Sequence, residues 1–285
     1  MPDERRPVAL PGPFGPYRLL QGLGQGATGR VFVGIDGRNG RKVAVKLVPL
    51  HSEDGMSDEL RRRFLAEAQA ARRLRHPSIA AVLDAGESRG IGWLAMELAP
   101  GYDLTRYCRA SRLLPLPWVV HIAARVAGAL ACAHAAGVVH RDVKPSNVVV
   151  HLPADSVKLV DFGVARLQGA ESTRTGMVVG SPAYLAPEQL AGAAPDAATD
   201  LYALGVLMFH LCTGQLPFES SNMGELLREV ARMPAPGLQS MVADCPAPLA
   251  ELVASLLKKT AAERPREAAE VERRLVAMDT VPSRR

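Results

Sequence analysis

His140-Arg141-Asp142-Val143-Lys144-Pro145-Ser146-Asn147 is the stretch on which the reading of this chain turns. It sets cations, a carboxylate and an amide between the apolar run Gly137-Val138-Val139 and the strand-like Val148-Val149-Val150. A polar loop between strands is the plain explanation of such a run. Downstream, a second short strand, Val157 to Val160, leads into Asp161-Phe162-Gly163. Each piece alone is weak, but together they are specific. Asn147 and Asp161, emerging from paired strands, offer oxygen donors to a hard cation such as magnesium, which prefers oxygen ligands and substrate phosphates.

Upstream, Gly24-Gln25-Gly26-Ala27-Thr28-Gly29 is a GxGxxG string. A dinucleotide-binding turn of that pattern opens a helix, whereas this one leads into the strand Val31-Phe32-Val33. A glycine hairpin between two strands can instead lay backbone N–H groups over phosphates without side-chain interference. Lys46 ends the alternating strand Val43-Ala44-Val45-Lys46, where a solvent-facing lysine is the bland expectation. Leu60, Phe64, Glu67, Ala71 and Leu74 recur at spacings of 4, 3, 4 and 3, which puts Glu67 in a helical row that should face inward. A carboxylate there needs a cationic partner, and a lysine on the adjoining strand would supply it and hold its ammonium against a phosphate.

Around these motifs, strands are expected at Tyr17 to Gly24, Arg30 to Asp36, Lys42 to Val48, Ala81 to Asp84 and Gly92 to Glu97. One helix, about Asp58 to Arg75 with Ser57 or Asp58 as cap, interrupts them. Beyond Pro100 the periodicity is helical, at Val119 to Ala136, Ala198 to Cys212, Gly224 to Arg232, Leu249 to Leu257 and Arg266 to Met278. The order predicts an α+β chain of two unequal lobes joined near Ala99-Pro100-Gly101.

At 285 residues, 48% hydrophobic and 22% charged, the chain is neither a stapled miniature nor a disordered or fibrous one. Its net charge of +5 favours anionic partners only mildly. Cys108, Cys132, Cys212 and Cys245 show no metal-ligand or disulfide spacing, which fits a reducing, cytoplasmic location. Residues 1–16, with Pro7, Pro11, Pro13 and Pro16, read as a flexible leader and not as a secretory signal. His121, Arg125 and His134 interrupt the longest apolar stretch, Trp118 to Val139, so no membrane span is expected. The two histidines otherwise read as ordinary helix residues. Arg61-Arg62-Arg63 and Arg72, Arg73 and Arg75 read as a solvated helix face, so no nucleic-acid partner is expected.

The ordered set GQGATGRV, VAVK, HRDVKPSN, DFG and APE (Ala186-Pro187-Glu188) resembles the eukaryotic-like, or Hanks-type, bacterial serine/threonine protein kinases of the PknB-like group, over roughly Tyr17 to Met278. The resemblance implies a bilobal protein kinase fold. Residues 17–98 would form a small β-rich N-lobe with one main helix, 99–280 a larger, mainly helical C-lobe, and 281–285 a tail. It implies an ATP site drawn from Leu23, Gly24, Gln25, Gly26, Ala27, Gly29, Val31, Ala44, Lys46, Met96, Glu97, Leu98, Asp103 and Val149, with Lys46 paired to Glu67. It implies that Asp142 orients and deprotonates the substrate hydroxyl while Lys144 steadies the phosphoryl group. Asn147 and Asp161 would hold Mg2+, with Mn2+ as a substitute.

Lys144, two residues after Asp142, has the serine/threonine-kinase character. Gly180-Ser181-Pro182-Ala183-Tyr184 resembles the segment that faces a protein substrate, with Ser181 where threonine is usual. Asp200 matches a buried brace of the catalytic loop, and Arg264 matches the partner of Glu188. Thr173 and Thr175 resemble autophosphorylation sites, with Arg141 as the phosphate's partner, and a homodimer would serve their phosphorylation in trans. The competing reading from another class is a pseudokinase or scaffold without turnover. The filled positions Lys46, Glu67, Asp142, Asn147 and Asp161 argue against it. Relatives often continue into a membrane anchor and sensor, so the chain is expected to be a free-standing kinase or a piece of an anchored one.

Overall fold

The computed structural model describes residues 12–26, 29–52, 55–56, 58–88, 90–162 and 182–281. Residues 1–11 of the leader, Ala27, the cap Ser57, Gly163, Thr173, Thr175, Ser181 and residues 282–285 lie outside them. The chain divides into two compact units, one running through Arg73 and resuming at Ala81–Leu98, the other taking Leu74–Ala80 and everything from Ala99 onward.

The first unit is built on a six-stranded antiparallel sheet in the order β1-β2-β3-β4-β8-β7. Its strands are β1 (Pro13–Phe14), β2 (Tyr17–Gly26), β3 (Gly29–Asp36), β4 (Lys42–Pro49), β7 (Val82–Ser88) and β8 (Ile91–Glu97), with a small hairpin of β5 (His51–Ser52) and β6 (Gly55–Met56) between β4 and the helix. β4 lies between β3 and β8, and its Val43 to Val48 are all buried, which is why this strand reads as an almost unbroken apolar run. One face packs Tyr17, Leu19, Phe32, Val45, Leu47 and Trp93 into a core, with Tyr17 edge-on to Trp93 at 5.1 Å between centroids. Phe14 joins that cluster, and Gly12 accepts the Leu19 N–H at 3.0 Å. Residues 12–16 are therefore part of the fold and not of a flexible leader: Phe14 has apolar surface to bury, and Pro13 opens a two-residue edge strand where a missing donor costs little.

The helix α1 (Asp58–Ala71) buries Phe64, Ala68 and Ala71. It stops short of the expected Arg75. Leu74 continues the apolar period, but the chain beyond it belongs to the second unit, where Leu159 N–H donates to Ser78 at 2.8 Å and Ala80 N–H donates back to Leu159 at 3.0 Å.

The second unit holds α2 (Leu116–Ala135), α3 (Pro187–Leu190), α4 (Ala197–Thr213), α5 (Met223–Arg232), α6 (Ala247–Leu256) and α7 (Ala268–Val276). Its small sheet is β11-β10-β9, from β9 (Tyr102–Asp103), β10 (Val148–His151) and β11 (Ser156–Leu159). α4 is capped by Asp196, whose carboxylate accepts the Thr199 N–H, and is ended by Gly214 in the left-handed region. At the start of β9, Gly101 has φ +104, and a Cβ there would sit 2.0 Å from the Val150 carbonyl oxygen, so the β9–β10 approach requires glycine. By length and composition α2 is apolar enough to span a bilayer, which the sequence reading did not expect. In the fold 67% of that window is buried, against α7, α4 and β11.

Candidate active site

In the second unit the chain leaves α2 at Gly137 and runs through residues 138–147 into the β10–β11 hairpin, which returns it to Asp161. The loop is fixed from beneath by Asp200, buried on α4. Its Oδ2 accepts the His140 N–H at 2.8 Å and lies 2.8 Å from His134 Nε2, while Oδ1 accepts the Arg141 N–H at 2.7 Å. His140 is fully buried, its Nδ1 accepting the Asp142 N–H at 3.3 Å and its Nε2 facing the Val160 carbonyl at 2.9 Å, which places its proton on Nε2. Its ring meets Phe162 edge-on at 4.6 Å, so the two motifs share one packed core. Arg141 and Asp161 both have positive φ, +70° and +68°, a conformation that costs of order 1–3 kcal/mol for a side chain other than glycine. Such strain persists where surrounding contacts over-determine it, and the Asp200 anchor on Arg141 is one of those contacts.

These supports converge on Asp142. Its Oδ2 is held by Lys144 Nζ at 2.7 Å and by Asn147 Nδ2 at 2.9 Å, while Asn147 Nδ2 also donates to the Asp142 carbonyl at 2.7 Å. One carboxylate oxygen is therefore pinned by two donors, and Oδ1 lies outside that clamp. Both Nδ2 hydrogens of Asn147 are committed to acceptors, which identifies the amide's oxygen as its other face. Asn147 Oδ1 and the Asp161 carboxylate are each oxygen donors of the hard type. Asp103 caps the following 3₁₀ turn through Thr105 N–H at 3.0 Å and the Thr105 hydroxyl, and it is paired with Val149 across β9 and β10.

In the first unit the β2–β3 hairpin carries the glycine string. Gly29 has φ +140, and a Cβ there would lie 2.0 Å from the Leu47 carbonyl. Leu23 sits at a register shift between Gly22 and Gly24, half exposed. The ladder pairs Gly24 with Val31, Gln25 with Arg30 and Gly26 with Gly29, then Val31 with Lys46, Ala44 with Met96 and Val43 with Glu97. Lys46 is only 2% exposed, contrary to the bland expectation, and a buried ammonium requires compensation. Glu67 is half-buried on α1 between the turns of Phe64 and Ala71. Glu97 accepts the Ala81 N–H and donates its own N–H to the Ala81 carbonyl, tying the end of β8, next to Leu98, to the start of β7.

Other features follow their chemistry. Arg61, Arg62 and Arg63 turn onto Glu87 and Glu59 at 2.6 to 3.0 Å. Burial pushes the thiols of Cys108 and Cys212 up to about 12, far from nucleophilic. Glu188 receives both Nη atoms of Arg264 at 2.8 Å, and Arg264 spends its remaining three donors on the carbonyls of Ala198, Lys258 and Lys259. Burial raises the Glu188 carboxyl, but the Arg264 fork and the Thr199 hydroxyl outweigh it and hold the group below its ordinary value. His121 and His134 are not plain helix residues. His121, 1% exposed, has Asp155 at 2.6 Å and Asp279 at 2.7 Å, and His134 holds Asp200. Their partners lie far along the chain, so only an imidazole on an otherwise apolar helix face could have flagged them.

A carboxylate pinned by a lysine and an amide, on a loop braced from a buried helix, is an arrangement of the protein kinase fold. The protein kinase domain model matches residues 17–274. Serine/threonine-protein kinase PknA of Mycobacterium tuberculosis is 38% identical over 256 residues, 88% of this chain and 58% of its own length. Serine/threonine-protein kinase pkn3 of Myxococcus xanthus is 38% identical over 279 residues, 92% of this chain and 50% of its own length. The chain thus spans between half and three fifths of these relatives. The crystal structure of the PknI kinase domain of M. tuberculosis superposes with a TM-score of 0.75 at 33% identity, covering 96% of this chain and 100% of that one. The chain belongs to the protein kinase family, among the bacterial serine/threonine kinases of Hanks type.

Proposed function

We propose that this chain transfers the γ-phosphate of ATP to serine and threonine hydroxyls of proteins, with Asp142 as the group that orients the hydroxyl and takes its proton. The observation that carries this is the clamp on Asp142 Oδ2 by Lys144 and Asn147. It fixes the carboxylate's direction before substrate arrives, and placement is most of what an enzyme contributes to phosphoryl transfer. Lys144 is a cation already at the site, suited to stabilise charge developing on the transferred group.

Asn147 and Asp161 would hold Mg2+, or Mn2+ in its place, and the metal when bound would neutralise phosphate charge. In the first unit, Lys46 paired with Glu67 contacts the α and β phosphates, and the Gly24 to Gly29 backbone covers them. Leu23, Val31, Ala44, Met96, Glu97 and Leu98 of the first unit serve the nucleoside. Thr173 and Thr175 take activating phosphate in trans within a transient homodimer. The partners are cytoplasmic proteins and not nucleic acid, a reading supported by the acidic pairing of Arg61, Arg62 and Arg63. The test is transfer of labelled phosphate to a generic serine/threonine substrate, lost in Asp142→Asn. Mass spectrometry should find phosphate on Thr173 or Thr175 of the wild type only.

A further inference from the structure

Between Asp103 and Asp142 the chain carries no aspartate or glutamate, and the first part of that stretch, residues 104–112, holds Arg106, Arg109 and Arg112. It folds as two 3₁₀ turns, Leu104–Tyr107 and Ala110–Arg112. Leu104 and Cys108 are its buried side, and all three arginines are exposed. None of the three has an ion pair among the described residues, in contrast to Arg61, Arg62 and Arg63, which turn onto Glu59 and Glu87. Asp103 is committed to the Thr105 N–H and hydroxyl, and Glu219, just past α4, makes no ion pair with them. Arg106 is placed further by Tyr102, a tyrosine 62% exposed, whose ring centroid lies 4.4 Å from the guanidinium carbon.

The segment lies between two parts of the site. Leu104–Tyr107 packs against Pro145–Asn147 at the end of the catalytic loop. The backbone at Arg109 and Ala110 crosses the end of α4, where a Cβ on Gly214 would lie 3.0 Å from the Ala110 nitrogen. One turn back, His210 accepts the Gly214 N–H on its carbonyl at 2.8 Å, and its Nδ1 lies 2.6 Å from the Tyr184 hydroxyl. Tyr184 closes the turn Pro182–Tyr184, in the segment assigned above to docking of the protein substrate. The arginines therefore border both the catalytic loop and the end of α4 that holds the docking segment.

We propose that Arg106, Arg109 and Arg112 are specificity-determining residues that select protein substrates with acidic side chains flanking the phosphorylated serine or threonine. This rests on the kinase reading above. Uncompensated cations at the edge of the site repel basic peptides, and a guanidinium offers a carboxylate two parallel hydrogen bonds. The charge stops at Arg112, before the uncharged Leu113 to Pro117, so the patch matches a few peptide side chains and is short for a phosphate backbone.

The experiment is steady-state kinetics at low salt with a serine peptide flanked by glutamates, the same peptide with glutamines and the same with lysines, on the wild type, Arg106→Gln, the triple arginine-to-glutamine variant and the triple arginine-to-glutamate variant. Wild type should favour the glutamate peptide in kcat/KM, by about 2- to 5-fold for each arginine engaged, the range for an exposed ion pair. Arg106→Gln should lose one such factor, and the triple glutamine variant should lose the preference through peptide KM, with ATP KM and transfer to the glutamine peptide equal to wild type. The triple glutamate variant should favour the lysine peptide, a reversal that lost packing cannot produce. No preference in wild type, or a preference that survives in the triple glutamine variant, overturns the proposal. So does a polythymidine oligonucleotide that binds wild type as tightly as the glutamate peptide and is weakened equally in the triple variant, which marks a general polyanion surface. No transfer to any peptide overturns the kinase reading instead. In that event fluorescence anisotropy of the labelled glutamate peptide decides this proposal alone: it must bind wild type more tightly than the triple glutamine variant, and equal binding or none refutes it. If a triple variant does not fold, the single glutamine variants at Arg106, Arg109 and Arg112 serve in both measurements.

Discussion

Glu188 and Arg264, 76 residues apart in sequence, meet in a two-pronged ion pair with both Nη–Oε distances at 2.8 Å and the arginine side chain wholly buried. The pair joins the start of α3 to the turn before α7, and it also draws in Thr199 at 3.1 Å from the first turn of α4. A single contact thus binds three elements of the second unit.

Glu188→Gln or Arg264→Met would leave one buried charge uncompensated and should cost about 3–5 kcal/mol in urea unfolding. Arg264→Lys keeps the charge but not the five-donor fork and should also destabilise. Because the Glu188 carboxyl is held below its ordinary value, its share of stability is full above about pH 4.5 and is lost as pH falls through the depressed value. His210 and His76, both lowered chiefly by burial, act earlier in an acid titration, their loss beginning as pH falls below about 6.5. Thermal unfolding against pH should therefore show two acid limbs. Glu188→Gln should shrink the lower limb and leave the upper one unchanged, with Asp36, held at about 2 by Arg38, still contributing to the lower limb, and a single limb near pH 4 in the wild type would contradict the assignment.

Asp200→Ala should leave the His140 and Arg141 amides without their acceptor, at about 1–3 kcal/mol each. Because Arg141 is held at positive φ beside Asp142, turnover should fall by more than stability alone accounts for, measured below the variant's unfolding temperature. Wild-type kcat in a folded Asp200→Ala protein would show that the anchor does not position the loop.

For Lys46 and Glu67, Lys46→Met and Glu67→Gln should each cut turnover strongly, and the double variant should be little worse than the worse single. The basis is the 2% exposure of Lys46 in the central strand β4 and the place of Glu67 between buried turns of α1. Additive losses in free energy across the cycle would show that the two act independently.

Where chemistry and fold are local, the sequence was legible. Residues 140–147 meet within one short loop, where Asp142, Lys144 and Asn147 contact one another, and the apolar run of β4 announces a central strand. What escaped reading depends on contacts distant in sequence. Leu74 keeps helical period, yet Ser78 and Ala80 pair with Leu159, so α1 ends at Ala71. Phe14 stands among prolines and is buried only because β2 folds back beside it. His121 gains its importance from Asp155, in a left-handed turn, and from Asp279 after the last helix. No periodicity reports such pairings.

The clamped carboxylate of Asp142 is expected to act on the substrate hydroxyl and not on the nucleotide. The most direct measurement compares wild type and Asp142→Asn for labelled phosphate transfer from ATP to a serine/threonine peptide and, on the same preparations, for ATP affinity by calorimetry with magnesium. A fall in turnover of about 10²- to 10⁴-fold, the range for a positioned general base, with ATP affinity unchanged, is the predicted result. Transfer at the wild-type rate by Asp142→Asn, or a loss of turnover matched by a loss of ATP binding, would contradict it.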